Sequence, residues 1–251
     1  MEERLNKWLS QMGVCSRREA DRLIEAGKVL VDNRPASMGQ KVTPGQKVVC
    51  NGRMVRVDKS RKPRPVLLAV NKPKGIVCTT TDKDRAENIV DFLGYPERIY
   101  PVGRLDKDSE GLLLMTNQGD LVNKIMRSGN AHEKEYIVTI DKPVTERFLE
   151  QMAGGIRLPE LDQVTRPCKV KKVERNTFSI ILTQGLNRQI RRMCEACGCQ
   201  VKRLVRVRIM NIRLGNLRTG AYRQITKEEY EELTGLLKDS SSLSLKERKN
   251  Q

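Results

Sequence analysis

Histidine is almost absent from this chain: His132 is the only one among 251 residues. Structural zinc sites are closed by four Cys or His ligands, so the Cys-x-x-Cys of Cys194 and Cys197, with Cys199 beside it, lacks a second half, and no metal site is expected. Cys15, Cys50, Cys78 and Cys168 are scattered singly. Ile190, Met193, Cys194 and Cys197 fall instead at i, i+3, i+4 and i+7, the spacing of one buried helix face, where a free thiol packs as a small hydrophobe. Seven cysteines without framework spacing imply reduced thiols. Long apolar runs are missing too. Nothing approaches the roughly 18 consecutive apolar residues of a membrane span, and MEERLNKWLS lacks the apolar core of a secretory signal. A cytoplasmic protein with no membrane partner is expected.

Acid is the other shortage. Only 31 Asp and Glu face 48 Lys and Arg, a formal net charge of +17, and such an excess points to a polyanion, most often nucleic acid. The deficit is uneven: residues 1–65 hold 15 basic and 7 acidic residues, and residues 186–223 hold 10 basic and 1 acidic. Two electropositive surfaces are therefore expected, one per domain. A uniformly solvated basic exterior would leave the scarcity of acid in 186–223 unexplained.

One carboxylate stands out against this background. In GRLDKDSEGLLLMTNQGD, residues 103–120, Asp106 sits in a polar turn between the apolar approach 99–102 and the apolar run 112–115, which is short enough for a buried strand. Asp106, Asp108 and Ser109 could simply make the turn through local hydrogen bonds, or a buried scaffold could be presenting an acid. Asp106, Asp108 and Asp120 as oxygen ligands of a metal-dependent nuclease, and Asp106 with Glu110 as a glycosidase pair, are further chemistries, the latter ill suited to so basic a protein.

Along the chain, Leu5, Trp8, Leu9 and Met12 mark a helix over 4–12 that stops at Gly13, and Ser16 with Glu19 caps a second one to about Ala26. Arg17, Arg18, Arg22 and Lys28 lie on or beside its solvent side, where they could meet phosphates. Strands follow at 29–31, 47–50 and 54–57, the last two around Asn51-Gly52, a strong hairpin signal. Residues 58–65 carry two prolines and no periodicity, and read as a linker. Further strands are expected at 66–70, 131–140, 169–173, 178–182, 201–209 (with a basic edge) and 222–225. Helices are expected at 121–127, at 145–152, from about 185 onward, and from a Thr226–Glu229 cap to about 237. The polar, low-complexity tail from 239 reads as disordered.

RLNKWLSQMGVCSRREADRLIEAGKVLVDNR resembles the S4-type RNA-binding domain, which implies RNA binding by residues 1 to about 58. GRLDKDSEGLLLMTNQGD, the Asn71-Lys72-Pro73-Lys74-Gly75 turn, Lys134-Glu135-Tyr136 and Gln189-Ile190-Arg191-Arg192-Met193 resemble the RsuA/RluB/RluF family of ribosomal RNA pseudouridine synthases. Within it, DLVNKIMRSGNAHEKEYIVT and QGLNRQIRRMCEACG look most like the members acting on the large ribosomal subunit.

The resemblance implies an α+β protein: an S4-like RNA-binding domain over 1–58, a linker over 59–65, a catalytic domain over 66–238 on a largely antiparallel mixed sheet with flanking helices, and a tail over 239–251. It implies an isomerase of a uridine in 23S ribosomal RNA, needing no cofactor, acting on ribosomal RNA or the assembling large subunit, and monomeric. Asp106 takes the place of the catalytic aspartate, covalent or charge- and proton-handling. Tyr136 takes that of the aromatic ring against the uracil, although its strand alone would make it a core tyrosine. Arg191 takes that of the arginine pairing with the aspartate, although its helix alone would make it one more exposed basic residue. Arg104 would help hold the vacated RNA helix open, and Lys72, Lys74, Lys134, Arg188 and Arg192 are candidate RNA contacts. A non-catalytic S4-domain ribosome-assembly factor, or a synthase for another ribosomal or transfer RNA uridine, are the alternatives. The former would have no use for Asp106, Tyr136 and Arg191 together.

Overall fold

Apolar residues that alternate strictly give a sheet one buried face, whereas unbroken runs such as Leu67-Leu68-Ala69-Val70 and Leu112-Leu113-Leu114-Met115 require burial on both. That distinction shapes the protein. The computed structural model describes residues 2–55, 64–79 and 86–240, which fall into two compact units divided between Arg64 and Pro65.

The first unit packs two short helices, α1 (Leu5–Gln11) and α2 (Arg17–Glu25), on a four-stranded sheet. Its strands are β1 (Val29–Val31), β2 (Arg34–Pro35), β3 (Val48–Cys50) and β4 (Arg53–Met54), in the order β2-β1-β3-β4. Ser16 caps α2 as its spacing predicts, accepting from the Glu19 amide at 3.1 Å. Asn51 and Gly52 both take positive φ, 49° and 73°, as a two-residue hairpin of right-handed twist demands. Leu5, Leu9, Ala20 and Ile24 meet Val29, Val31 and Val48 in one small core. The predicted strand at 54–57, the linker and the tail extend beyond the described residues.

The second unit is built on a nine-stranded sheet. Its strands are β5 (Leu67–Lys72), β6 (Tyr100–Val102), β7 (Glu110–Thr116), β8 (Lys134–Ile140), β9 (Lys169–Glu174), β10 (Thr177–Leu182), β11 (Val201–Ile209), β12 (Ile212–Arg213) and β13 (Tyr222–Gln224). The order is β9-β10-β8-β11-β7-β5-β13, with β6 on β7 and β12 on β11. Among these strands every pairing is antiparallel except β11 with β7, in keeping with the largely antiparallel mixed sheet expected.

Leu67, Ala69, Leu112 and Leu114 face one cluster, closed by α4 (Gly119–Met126) and α7 (Lys227–Leu236). Leu68, Val70, Leu113 and Met115 face the other, closed by α3 (Ile89–Leu93). A third cluster joins β8 and β10 to α5 (Glu146–Gly154) and α6 (Gln189–Ala196), taking in Phe148, Met152, Ile190, Met193 and Cys194. The periodicity in α6 is therefore that of a core face, and burial pushes the Cys194 thiol far up and the Cys168 thiol up to about 11.

The structure departs from expectation at β11. The alternation suggests a strand with a basic edge, and β11 lies in the centre of the sheet between β8 and β7, where not all of its basic residues can face solvent. Leu204 and Arg206 point inward, and Arg206 is among the largest fully buried side chains.

Candidate active site

A loop, residues 103–109, joins β6 to β7, and five of its seven carbonyls accept hydrogen bonds. Ser109 N donates to Asp106 O at 3.0 Å, closing a turn, and Gly75 N donates to Lys107 O at 2.8 Å. Arg191 Nη2 donates to Asp108 O at 3.1 Å, Lys72 Nζ to Ser109 O at 2.8 Å, and Arg206 Nη1 reaches Arg104 O at 3.4 Å. Hydrogen bonds from charged donors are the stronger kind, so three buried cations fix a loop that would otherwise be free to vary. Gly111, just inside β7, has φ +104°, and a Cβ there would collide with the Arg206 backbone. Glycine is what lets β7 approach β11 this closely.

The loop overhangs a cleft of about 300 Å³ lined by Arg104, Asp106, Lys134, Tyr136, Arg188, Arg191 and Arg206 among others. Asp106 is the one carboxylate among these lining residues. Tyr136 packs against the clusters on both sides of it, so the cleft runs along the seam between two cores. Asp106 and Tyr136 thus meet at one site.

Arg191 does not do what the resemblance implied. It is buried on α6, 9 % exposed, and its guanidinium contacts Asp108 Oδ2 at 3.3 Å and Ser109 Oγ at 3.3 Å. The ion pair on Asp106 comes instead from Arg188, whose Nη1 lies 3.8 Å from Oδ2. Arg188 sits at the N-cap of α6 with φ 49°, and this left-handed turn lets it reach the loop while Arg191, three residues on, faces the loop base. Burial works against the Asp108 carboxylate, but hydrogen bonds from Arg188 and the charges of Arg191 and Arg188 outweigh it and hold Asp108 below the usual range.

Of the candidate RNA contacts, Arg104, Lys74, Arg17, Arg18, Arg22 and Lys28 are exposed. Arg22 forms an ion pair with Glu19 at 2.8 Å. Lys72 is a correction: it is fully buried, and its ammonium is committed to the Pro73 and Ser109 carbonyls, each at 2.8 Å. A lysine in a polar turn reads as exposed, but here it is the last residue of β5 with β7 beside it. Arg192 lies outside the cleft, bound to Glu160 at 2.7 Å. Lys134 is 5 % exposed and lines the cleft floor rather than the outer surface. Burial, then the charge of Arg206, lowers its pKa to about 8. Arg206 and Asp108 were missed; the one available signal for Arg206 was its parity with Leu204 on a nine-residue strand.

Among the described residues, no three His, Cys, Asp or Glu side chains gather closely enough to hold a metal ion. Nor is any helix among them long and apolar enough to cross a membrane. A family model described as RNA pseudouridylate synthase matches residues 66–196, and one described as S4 domain matches residues 3–48. The chain is 52% identical over 239 residues to the dual-specificity RNA pseudouridine synthase RluF of Escherichia coli strain K12, covering 95% of this chain and 81% of the relative. It is 36% identical over 242 residues to the ribosomal large subunit pseudouridine synthase B of Bacillus subtilis strain 168, covering 93% and 96%. A crystal structure of a pseudouridylate synthase superposes with a TM-score of 0.67 at 28% identity, covering 92% of this chain and 99% of that one.

Proposed function

This chain belongs to the RNA pseudouridylate synthase family, and from that premise we propose that it isomerises a uridine of 23S ribosomal RNA with Asp106 as the catalytic residue. The observation that carries the reading is the single carboxylate of the cleft, held on a pinned loop opposite Tyr136 and surrounded by cations. Extracting the base costs a few kcal/mol of stacking, offset by binding in a fitted pocket and by aromatic contact. Tyr136 supplies that contact, while the exposed Arg104 enters the vacated helix.

Asp106 then acts at the ribose carbon from which the uracil leaves. Arg188 is the cation facing it, 3.8 Å away. Arg191 acts one step back, by holding Asp108 and the loop backbone. Arg17, Arg18 and Lys28 give the first unit a basic face for phosphates. We read residues 1–58 as the RNA-binding domain and 66–238 as the catalytic one, in a cytoplasmic monomer that meets ribosomal RNA or the assembling subunit.

Mapping of pseudouridines in ribosomal and transfer RNA with and without the protein tests the reading. One 23S uridine should lose its modification when the protein is removed and regain it with wild type but not Asp106→Asn. A change confined to transfer RNA would redirect the substrate, and no change at any site would overturn the assignment.

A further inference from the structure

Two buried cations in the cleft have no carboxylate to answer them. Lys134 Nζ makes one hydrogen bond, to His132 O at 3.2 Å. Arg206 is 1 % exposed; its Nε bonds Leu112 O at 2.7 Å, and its Nη2 is buried without a partner. Among the described residues neither takes part in an ion pair, and the two lie close enough for the charge of Arg206 to be felt at Lys134. Buried charge is ordinarily paired, because desolvation costs several kcal/mol per ion, and two like charges side by side add repulsion. The charged groups sharing their cleft are Arg104, Arg188 and Arg191, all cations, and Asp106. The cleft therefore presents positive charge in excess of its one carboxylate.

Resting on the function proposed above, we propose that Lys134 and Arg206 stabilise the negative charge that develops on the uracil oxygens as the base leaves the ribose. When the bond between ribose C1′ and uracil N1 breaks, its electron pair goes to the base and spreads over N1, O2 and O4. C1′ is left electron-deficient on the side of Asp106. Rejoining uses the pair at C5 to form the C1′–C5 bond, after which C5 loses its proton and N1 gains one, so nothing is consumed.

Lys134 and Tyr136 are two residues apart on β8, so their side chains share a face. The ring proposed to hold the base and the ammonium proposed to answer its charge are therefore neighbours. A phosphate, strongly hydrated, suits the exposed Arg104 and Arg188 at the cleft mouth better than a lysine 5 % exposed. Preorganised cations of this kind act on the transition state and not on the bound ground state.

The test compares wild type, Lys134→Met and Lys134→Arg in single turnover on a 23S ribosomal RNA transcript made with uridine or with 5-fluorouridine, following loss of the N-linked nucleoside. Fluorine at C5 makes the departing base a weaker base that needs less help. Removing one preorganised donor typically lowers the rate about 10²-fold. Lys134→Met should show a loss of that order on uridine, an unchanged RNA Kd, and a loss several times smaller on 5-fluorouridine, while Lys134→Arg recovers most of the rate. Arg206→Lys carries the same substrate-dependent expectation should Lys134→Met not fold. Equal losses on the two RNAs would overturn the inference. A raised Kd with an unchanged saturated rate would overturn it too, assigning Lys134 to a backbone phosphate. Wild type that converts neither RNA would instead remove the reading on which the inference rests.

Discussion

Arg188 grips both oxygens of Asp108, at 3.2 and 3.4 Å, while the same guanidinium stands 3.8 Å from Asp106. One arginine therefore spans the two acids of the loop, and Asp108 is the closer of its partners. Asp108 is the organiser: it collects Arg188 and Arg191 from α6 and so fixes where Asp106 stands.

Asp106→Asn keeps the shape of the side chain and removes its charge. Isomerisation should fall to background while RNA affinity stays within about twofold, because phosphate contacts supply most of the binding. Rate and Kd measured on one transcript check this; turnover like wild type would refute the catalytic role.

The geometry also says which pairs are energetically coupled. Double-mutant cycles on unfolding free energy should show coupling of Arg191 with Asp108, on the order of 1 kcal/mol because the Asp108 side chain is half exposed. Arg191 with Asp106 should be close to additive. A larger coupling of Arg191 with Asp106 would mean that the two side chains meet in solution as they do not here.

Lys134 should be a liability to stability. Its folded pKa is about 8 against an ordinary 10.5, so between those values the unfolded chain binds more protons than the folded one. Stability relative to a Lys134→Met variant is then lowest below about pH 8 and recovers as pH rises toward 10.5. Lys134→Met should be the more stable protein at pH 7, by an amount on the order of a few kcal/mol, while being the poorer enzyme. Chemical denaturation at pH 7 and pH 10 reads both ends; equal differences at the two would refute it.

Arg17, Arg18 and Lys28 are exposed on the first unit. Replacing all three with glutamine should weaken RNA binding and make its salt dependence shallower by roughly 0.7 to 0.9 for each phosphate no longer neutralised. Single-turnover rates at saturating RNA should not change. An unaltered salt slope would show that this face does not meet RNA.

Much of this was readable in advance, for reasons that differ by residue. Ser16 and Thr226 are caps because their side chains serve amides three residues ahead, a rule of local sequence. The apolar run 112–115 declares a doubly buried strand by itself. Asp106 and Tyr136 are legible through the motifs that contain them, and they meet at the cleft.

Contacts across the chain were not legible in the same way. The resemblance paired Arg191 with Asp106, whereas its guanidinium meets Asp108, two residues on, a distinction that only the packing of α6 on the loop decides. Lys72 looked like a turn residue because the strand it ends is recognised only once β7 lies beside it. Arg206 looked like one more basic residue of a basic strand, since only the placement of β11 in the sheet centre buries it. The five-residue α3 is too short to announce a period.

The parallel pairing of β7 with β11 has one more consequence, for the order in which the molecule forms. Arg206 and its acceptor Leu112 are 94 residues apart in sequence, and Arg191 and Ser109 are 82 apart. Contacts of such span must bear the entropy of closing a long loop before they return anything, and they form late. The β5–β7 pair and α4 can assemble while the chain is still being made, with Gly75 and Lys72 already holding part of the Asp106 loop, but the contacts from Arg191 and Arg206 must wait for α6 and β11. An incomplete chain therefore carries the Asp106 loop without the two arginines that reach it from the far end of the sequence.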